Sequence, residues 1–356
     1  MKKYFLFIIM SGIILSACKN DLDVNAEYKE TMVVYGILDQ TDSLQYIKVT
    51  KAFLGEADAA QMALVRDSSE YPDVLDVKII ERRNNQTINH TLERRLITNK
   101  NAGNFYAPNQ YVYAFLPNLF RTSPIIGYLD ETKIVKLQIT NRLTGKSTEA
   151  ETEIVKNFII RIPSASAFTS IPLATQTNNF LSPTDYNLVW EISPNAKRYS
   201  VNFRLTVIDT NLVNPSLSKR YTIEYGSSKI KPGSSDREIT FAINARDFIS
   251  LIASKLPDAG TDNERWLADI DVFIAAAGEE LDIYMTLNEP SASIVTERPI
   301  YSNLSDGIGI FSSRINKQIL NKGITQNTAK YLKENYPQKK FTQFYIQSTN
   351  SFAPIN

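Results

Sequence analysis

The sequence predicts a mainly β fold built as tandem β-sandwich domains with a few short helices. Three observations carry that expectation. Short runs rich in Val, Ile, Thr, Tyr and Phe recur along the chain, and many alternate apolar with polar residues at the period of a half-buried strand. Polar clusters such as Asp39-Gln40-Thr41-Asp42-Ser43 and Arg142-Leu143-Thr144-Gly145 separate these runs as turns. The 18 Tyr and 17 Phe, against 2 Trp, are residues that suit strands, although tyrosine in this quantity also suits a binding face. With 356 residues the chain exceeds the roughly 100–200 of one domain, so two domains are expected.

The first element is residues 1–17. Lys2 and Lys3 precede the apolar run Phe5-Leu6-Phe7-Ile8-Ile9-Met10, which resumes as Ile13-Ile14-Leu15 and ends in small residues, the layout of a secretory signal peptide. That run is shorter than the roughly 20 residues of a membrane-spanning helix. Leu15-Ser16-Ala17-Cys18 resembles the bacterial lipobox, which implies that Cys18 is lipidated and becomes the mature N-terminus. The alternative is an ordinary export signal with a cysteine near its end. Cys18 is the single cysteine, so it has no disulfide partner within the chain, and lipidation accounts for it directly. Several acyl chains on one cysteine anchor stably where a single chain is marginal. Residues 18–29 lack hydrophobic periodicity and read as a lipidated tether. Within it, Lys19-Asn20-Asp21-Leu22-Asp23 is similar to the charged export signal of Bacteroidota surface lipoproteins, with Asn20 as a departure. The expected location is the outer membrane, with the cell surface favoured over the periplasmic face.

Residues 30–162 read as the N-terminal β-sandwich domain. Thr31 to Leu38 and Leu44 to Lys51 flank a polar turn as an antiparallel pair, with Ile47 and Val49 opposite Tyr46, Lys48 and Thr50. Residues 56–65 are rich in helix formers and fit either a short helix or a loop. Leu75, Val77 and Ile79 alternate with Asp76, Lys78 and Ile80, and after Arg83-Asn84-Asn85-Gln86 the chain returns from Thr87 to Leu96. Tyr111, Tyr113 and Phe115 share one face. A stacking platform for a sugar or peptide is one reading, and a core-facing stripe is the favoured one. Lys133 to Thr140 and Ser147 to Val155 make the last hairpin of this domain.

Residues 163–183, rich in Ser, Thr, Pro and Asn, are expected to be a linker. Residues 184–314 follow as a second sandwich with a helical insertion. Leu188, Trp190 and Ile192 lie on one face of a strand, and Arg198 to Leu205 returns after a turn. This hairpin resembles the start of a fibronectin type III-like, immunoglobulin-type sandwich, with Trp190 and Tyr199 in core positions. Further strands are read at 221–225, 238–243 and 267–277. Asn244 is a plausible N-cap with Asp247 at N3, and Phe248, Leu251, Ile252 and Leu256 recur at helical spacing before Pro257. Residues 281–287 fit strand or helix and are read as a short helix. Residues 315–356 are expected to be a C-terminal tail with a capped helix over 327–336, a strand over 341–346 and a loose end.

The segment Pro299 to Ser313 carries a family resemblance. Its aromatic Tyr301, Asn303, Gly307 and Gly309-Ile310-Phe311 are similar to the closing segment of a large Bacteroidota outer-membrane lipoprotein family of unassigned function. The lipobox, Val33-Val34-Tyr35-Gly36 and the hairpin over 137–149 fit the same pattern. The resemblance implies β-sandwich domains on an outer-membrane lipoprotein often encoded near TonB-dependent receptors, and it implies no catalytic residue. Gly307 and Gly309 also have a structural explanation, since glycine admits a tight turn without a Cβ penalty.

Composition narrows the function. The net charge of +1 disfavours nucleic acid as a partner. His90 is the single histidine, and its alternation with apolar residues favours an exposed strand position over a catalyst, which disfavours Ser-His-Asp, Cys-His and His-zinc chemistry. No acidic loop has the twelve-residue calcium spacing, and no cofactor is implied. The favoured function is a non-catalytic binding or accessory module beside an outer-membrane nutrient receptor, with a glycan, a peptide or the receptor as ligand. One alternative is a structural envelope protein that binds only proteins. Another is a glycoside hydrolase using two carboxylates, for which no pair is selected by spacing.

Overall fold

The computed structural model describes residues 30–52, 59–83, 86–116, 134–166, 168–289 and 300–356; Cys18 and the rest of residues 1–29 lie outside them. Within these residues the protein is mainly β, with several sheets and a few short helices. The first half comprises β1 (Met32–Asp39), β2 (Gln45–Lys51), α1 (Ala59–Ala63), α2 (Arg66–Ser69), β3 (Leu75–Arg83), β4 (Gln86–Thr91), β5 (Glu93–Ile97), β6 (Gln110–Phe115), β7 (Ile134–Asn141) and β8 (Ser147–Glu153). Alternation decides which side chains meet. Met32, Val34 and Leu38 of β1, Ile47 and Val49 of β2, and Tyr113 and Phe115 of β6 face Leu75, Val77 and Ile79 of β3 and Val135, Leu137 and Ile139 of β7 in one core. The four-stranded sheet β4-β3-β7-β8 supplies one side, and the β1-β2-β6-β5 part of a ten-stranded sheet supplies the other.

Two expectations for this half are corrected. The return strand read from Thr87 to Leu96 divides at Leu92, which is buried and donates its N–H to Val77 O at 2.8 Å. β4 stays beside β3, and β5 crosses to pair with β6 in the other sheet. His90 is not exposed but 9% accessible, because its register sets it opposite the core residue Ile79.

The second half continues with β9 (Ile160–Ile162), β10 (Ala174–Thr177), β11 (Phe180–Pro183), β12 (Tyr186–Glu191), β13 (Arg198–Asn211), β14 (Lys219–Ile230), β15 (Glu238–Ile243), α3 (Ala245–Lys255), β16 (Asn263–Ala277), α4 (Glu279–Asn288), β17 (Ile308–Lys322), α5 (Gln326–Asn335), β18 (Phe341–Ile346) and β19 (Ser351–Pro354). The ten-stranded sheet extends here as β14-β13-β16-β17, and the sheet β15-β12-β9 faces it across the larger core. Trp190 and Tyr199 are fully buried there, with ring centroids 5.7 Å apart. The Tyr199 hydroxyl accepts the Ser193 N–H at 2.7 Å, and burial pushes its pKa up to about 12. α3 forms where its pattern indicates. Asn244 Oδ1 accepts the Asp247 N–H at 2.9 Å, and Phe248, Ile249 and Ile252 are buried.

β17 joins the two halves. Its beginning, Ile308–Arg314, pairs in parallel with Val33–Asp39 of β1, and its continuation, Arg314–Lys322, pairs with β16. The closing segment, read with residues 184–314, therefore contributes Phe311 to the first core. Asn303 sets this entry: its Nδ2 donates to Phe311 O at 2.7 Å and its Oδ1 accepts the Phe311 N–H at 2.9 Å, so one amide stands in for a neighbouring strand. Asn303→Ala leaves both backbone groups unpartnered and is expected to cost about 1–3 kcal/mol in urea unfolding.

The stretches read as linker and tail are also part of the packed structure. β10 and β11 pair within 163–183, Ile171 bridges to Ile324, and Thr328 Oγ1 accepts the N–H groups of Leu173 at 2.9 Å and Ala174 at 3.0 Å. The fully buried Lys322 donates to Ser166 O and, at 2.9 Å, to Thr169 Oγ1. Beyond residue 315, β18 pairs with β16 and β19 with β18, and Ile355 is 3% exposed. The end is ordered because its apolar residues complete the larger core.

Candidate functional site

On the outer face of β14-β13-β16-β17, opposite the larger core, lies a cavity of about 880 Å³. Period-two alternation builds it: Tyr199, Val201, Phe203 and Leu205 turn inward from β13, so Ser200 and Asn202 turn outward. Phe273 and Ala275 of β16 and Asn316 and Gln318 of β17 share that outer face through direct register, Phe273 opposite Gln318 and Ala275 opposite Asn316. At its floor β13 and β14 approach closely where their register shifts between Tyr199 and Val201. Gly226 permits that approach, since a Cβ there would lie 1.9 Å from Val201 O.

The walls are held by charged groups. Arg204 lies 4.5 Å from the centroid of the Phe273 ring and donates to Asp271 Oδ2 at 2.6 Å, while Asp271 Oδ1 accepts the Asn321 N–H at 2.9 Å. On the other side Thr41, from the β1–β2 turn, reaches the cavity. The buried Asp39 fixes that turn: Oδ1 accepts from Thr41 N at 2.9 Å and Oγ1 at 2.6 Å, and Oδ2 accepts from Arg314 Nε and Asn316 Nδ2, both at 2.6 Å. Asn202 Oδ1 is buried and has no hydrogen-bond partner among the described residues. A buried amide oxygen without a donor costs about 1–3 kcal/mol, so a ligand donor that meets it gains free energy. Amides, hydroxyls and the Phe273 ring predominate in the lining, and its two charged members, Glu224 and Lys317, are of opposite sign, so a cavity of this size suits a polar ligand without net charge.

A separate charged cluster ties α4 to the β13/β14 hairpin. Arg198 Nε donates to Asp282 Oδ1 at 2.7 Å, its Nη1 to Glu289 Oε1 at 2.8 Å, and Lys231 Nζ meets Asp282 Oδ2 at 2.8 Å. Burial raises the Asp282 pKa, but the hydrogen bonds from Lys231 and Arg198 outweigh it and hold the carboxyl below its ordinary 3.8. A pKa depressed in the folded state gives stability above the unfolded pKa and loses it as pH falls through the folded one. Asp282→Asn is therefore expected to be destabilised at pH 7, and its gap from the wild type to close below about pH 4 in unfolding titrations.

The residues singled out from sequence do not gather at this cavity. Cys18 lies outside the described residues, Tyr113 and Phe115 are in the first core, and Tyr111 lies under Arg94, 3.4 Å from its guanidinium carbon. Asp39, Asn202, Phe273 and Gln318 were missed; their only sequence signal was outward position on a strand or membership of a polar turn. Among the described residues no group of three or more His, Cys, Asp or Glu is placed to hold a metal ion, and no helix is long and apolar enough to cross a membrane. No family model matches the chain, and no curated protein matches it.

Proposed function

We propose that this protein is a lipid-anchored, non-catalytic binding module of the outer membrane, which receives an uncharged polar chain, a glycan or an extended peptide, on the outer face of β14-β13-β16-β17. The observation that carries the binding reading is the 880 Å³ cavity, with its amides, hydroxyls and the unpartnered Asn202 Oδ1. The anchor rests on the signal layout and on Leu15-Ser16-Ala17-Cys18. Its two cores, each between facing sheets, support a reading as tandem sandwiches of immunoglobulin or fibronectin III type. Such a module fits a role beside a TonB-dependent nutrient receptor, displayed at the cell surface.

Two measurements test this reading. Fatty-acid labelling is expected to mark the wild type and not Cys18→Ala, and the variant is expected to leave the envelope fraction; labelling of both removes the anchor. In thermal unfolding with neutral oligosaccharides and uncharged peptides, a ligand at 100 times its Kd is expected to add about 2.7 kcal/mol. Asn202→Ala is expected to weaken that binding about tenfold, the loss of one hydrogen bond to a buried acceptor. A panel with no shift, or an Asn202→Ala protein that binds as the wild type does, removes the ligand from this cavity.

A further inference from the structure

A second cavity, of about 510 Å³, lies where β2 and β6 part. Those strands pair only over Gln45–Ile47 and Phe115–Tyr113. Past that point the segment after α2 enters the gap, with Glu70 bridging to Thr50 of β2. Glu70 is 8% exposed, and its Oε1 accepts from Lys48 Nζ at 3.0 Å and from the Tyr111 N–H at 3.2 Å. Its Oε2 is equally enclosed and has no partner among the described residues. A carboxylate oxygen buried with no donor is a costly arrangement that a ligand hydroxyl or ammonium group relieves.

Across the cavity stands a complementary group. Arg94 lies flat over the Tyr111 ring, 3.4 Å from guanidinium carbon to centroid, and spends Nη2 on Tyr71 O at 3.1 Å. Among the described residues its Nε is buried without a partner, and no carboxylate pairs with Arg94 or with Lys51, which lines the same cavity. The stacking and the Tyr71 bond hold the guanidinium in one orientation, which favours planar recognition of a carboxylate. Asp67 and Asp73 also line the cavity, but each already has a cation of its own: Asp67 meets Arg66 at 3.3 Å and Asp73 meets Arg142 at 3.8 Å.

We propose that this cavity binds a small ligand that carries a carboxylate together with a hydrogen-bond donor on a nearby carbon. The carboxylate is received by Arg94 and Lys51, and the donor by Glu70 Oε2. Two ligand sources share this chemistry: a uronic acid, with a ring hydroxyl as donor, and an α-amino acid, with its ammonium group. The site is independent of the larger cavity and of the anchor, so either can fail alone.

The test is calorimetric titration of the full chain with glucuronate, L-alanine, glucose and acetate. Glucuronate or alanine is expected to bind at least about tenfold more tightly than glucose, which lacks the carboxylate, and than acetate, which lacks the donor. Which of the two binds identifies the source. Arg94→Gln is expected to weaken that binding about tenfold or more, and so is Glu70→Gln, whose amide sits in the same volume; Lys51→Gln, at a more open position, gives a third variant that perturbs the fold least. Equal binding of all four compounds, no binding of either carboxylate with a donor, or binding unchanged in properly folded Arg94→Gln and Lys51→Gln proteins would overturn the assignment.

Discussion

Replacing Gly309 by alanine is expected to be the most damaging small change in the described structure, with a loss of at least about 4 kcal/mol in denaturant unfolding. Two independent reasons add. The residue sits at φ +126°, where a non-glycine backbone is strained by about 1–3 kcal/mol. A Cβ would lie 1.9 Å from Val34 O, 2.8 Å from Val34 C and 2.9 Å from Val34 N, and all three are backbone atoms of a paired strand. β1 cannot retreat without disturbing Met32, Val34 and Leu38 in the first core. Gly307, at φ +131° with its Cβ position 2.6 Å from Met32 O, faces the same obstacle one step earlier. Gly103→Ala is the control: nothing lies within 4 Å of its Cβ position, and a change within about 0.5 kcal/mol is expected. Equal stability of Gly309→Ala and Gly103→Ala would show that β17 does not run against β1 as described.

The second large effect is expected at Arg265. Its side chain is fully buried in the second half and grips Asp209 with two bonds, Nε to Oδ1 at 2.5 Å and Nη2 to Oδ2 at 2.9 Å, while Nη1 donates to Pro257 O at 2.9 Å. The pair links β13 to β16 at Asp209–Arg265 and ties both to the chain leaving α3. Arg265→Met leaves the Asp209 carboxylate buried without its cation, and a loss of about 3–5 kcal/mol is expected; Asp209→Leu strands the guanidinium at similar cost. The double variant Asp209→Leu/Arg265→Met removes both charges and replaces them with apolar volume, so it is expected to recover most of the loss. Unfolding of all four proteins gives the coupling directly. Strictly additive losses would mean that the two groups do not depend on each other.

Much of the local structure was legible because it depends on near neighbours. Leu75, Val77 and Ile79 lie on one face of an alternating run and are buried as that spacing requires. α3 begins at the Asn244 cap and α4 forms over 279–288, around the run read as a short helix. The run over 56–65, open between helix and loop, is described from residue 59 and contains α1. Turn chemistry likewise placed the bend between β7 and β8, where Gly145 has φ +71°.

The candidate site and the organisation of the sheets were not legible, since they are made by partners far apart in sequence. Asp39 reads as one acid in a polar turn, yet it holds Arg314 and Asn316 from the far end of the chain. Asn202 reads as a polar residue on a strand and Gln318 as part of the tail, and only the placing of β13, β16 and β17 side by side puts them in one cavity. His90 shows the same limit in miniature: alternation gives two faces, and the partner strand decides which of them is buried.

By itself the sequence determined the strand-rich character of this protein and the start of α3 at its Asn244 cap. Those features follow from φ/ψ preference, side-chain period and capping, all of which act within a few residues. The tertiary structure alone decided that β17 closes against β1 and then continues beside β16, and with that which polar side chains line each cavity. Strand pairing is a contest among all edges of similar period, and it is won by the contacts that fill a core and by the glycines that let two backbones meet.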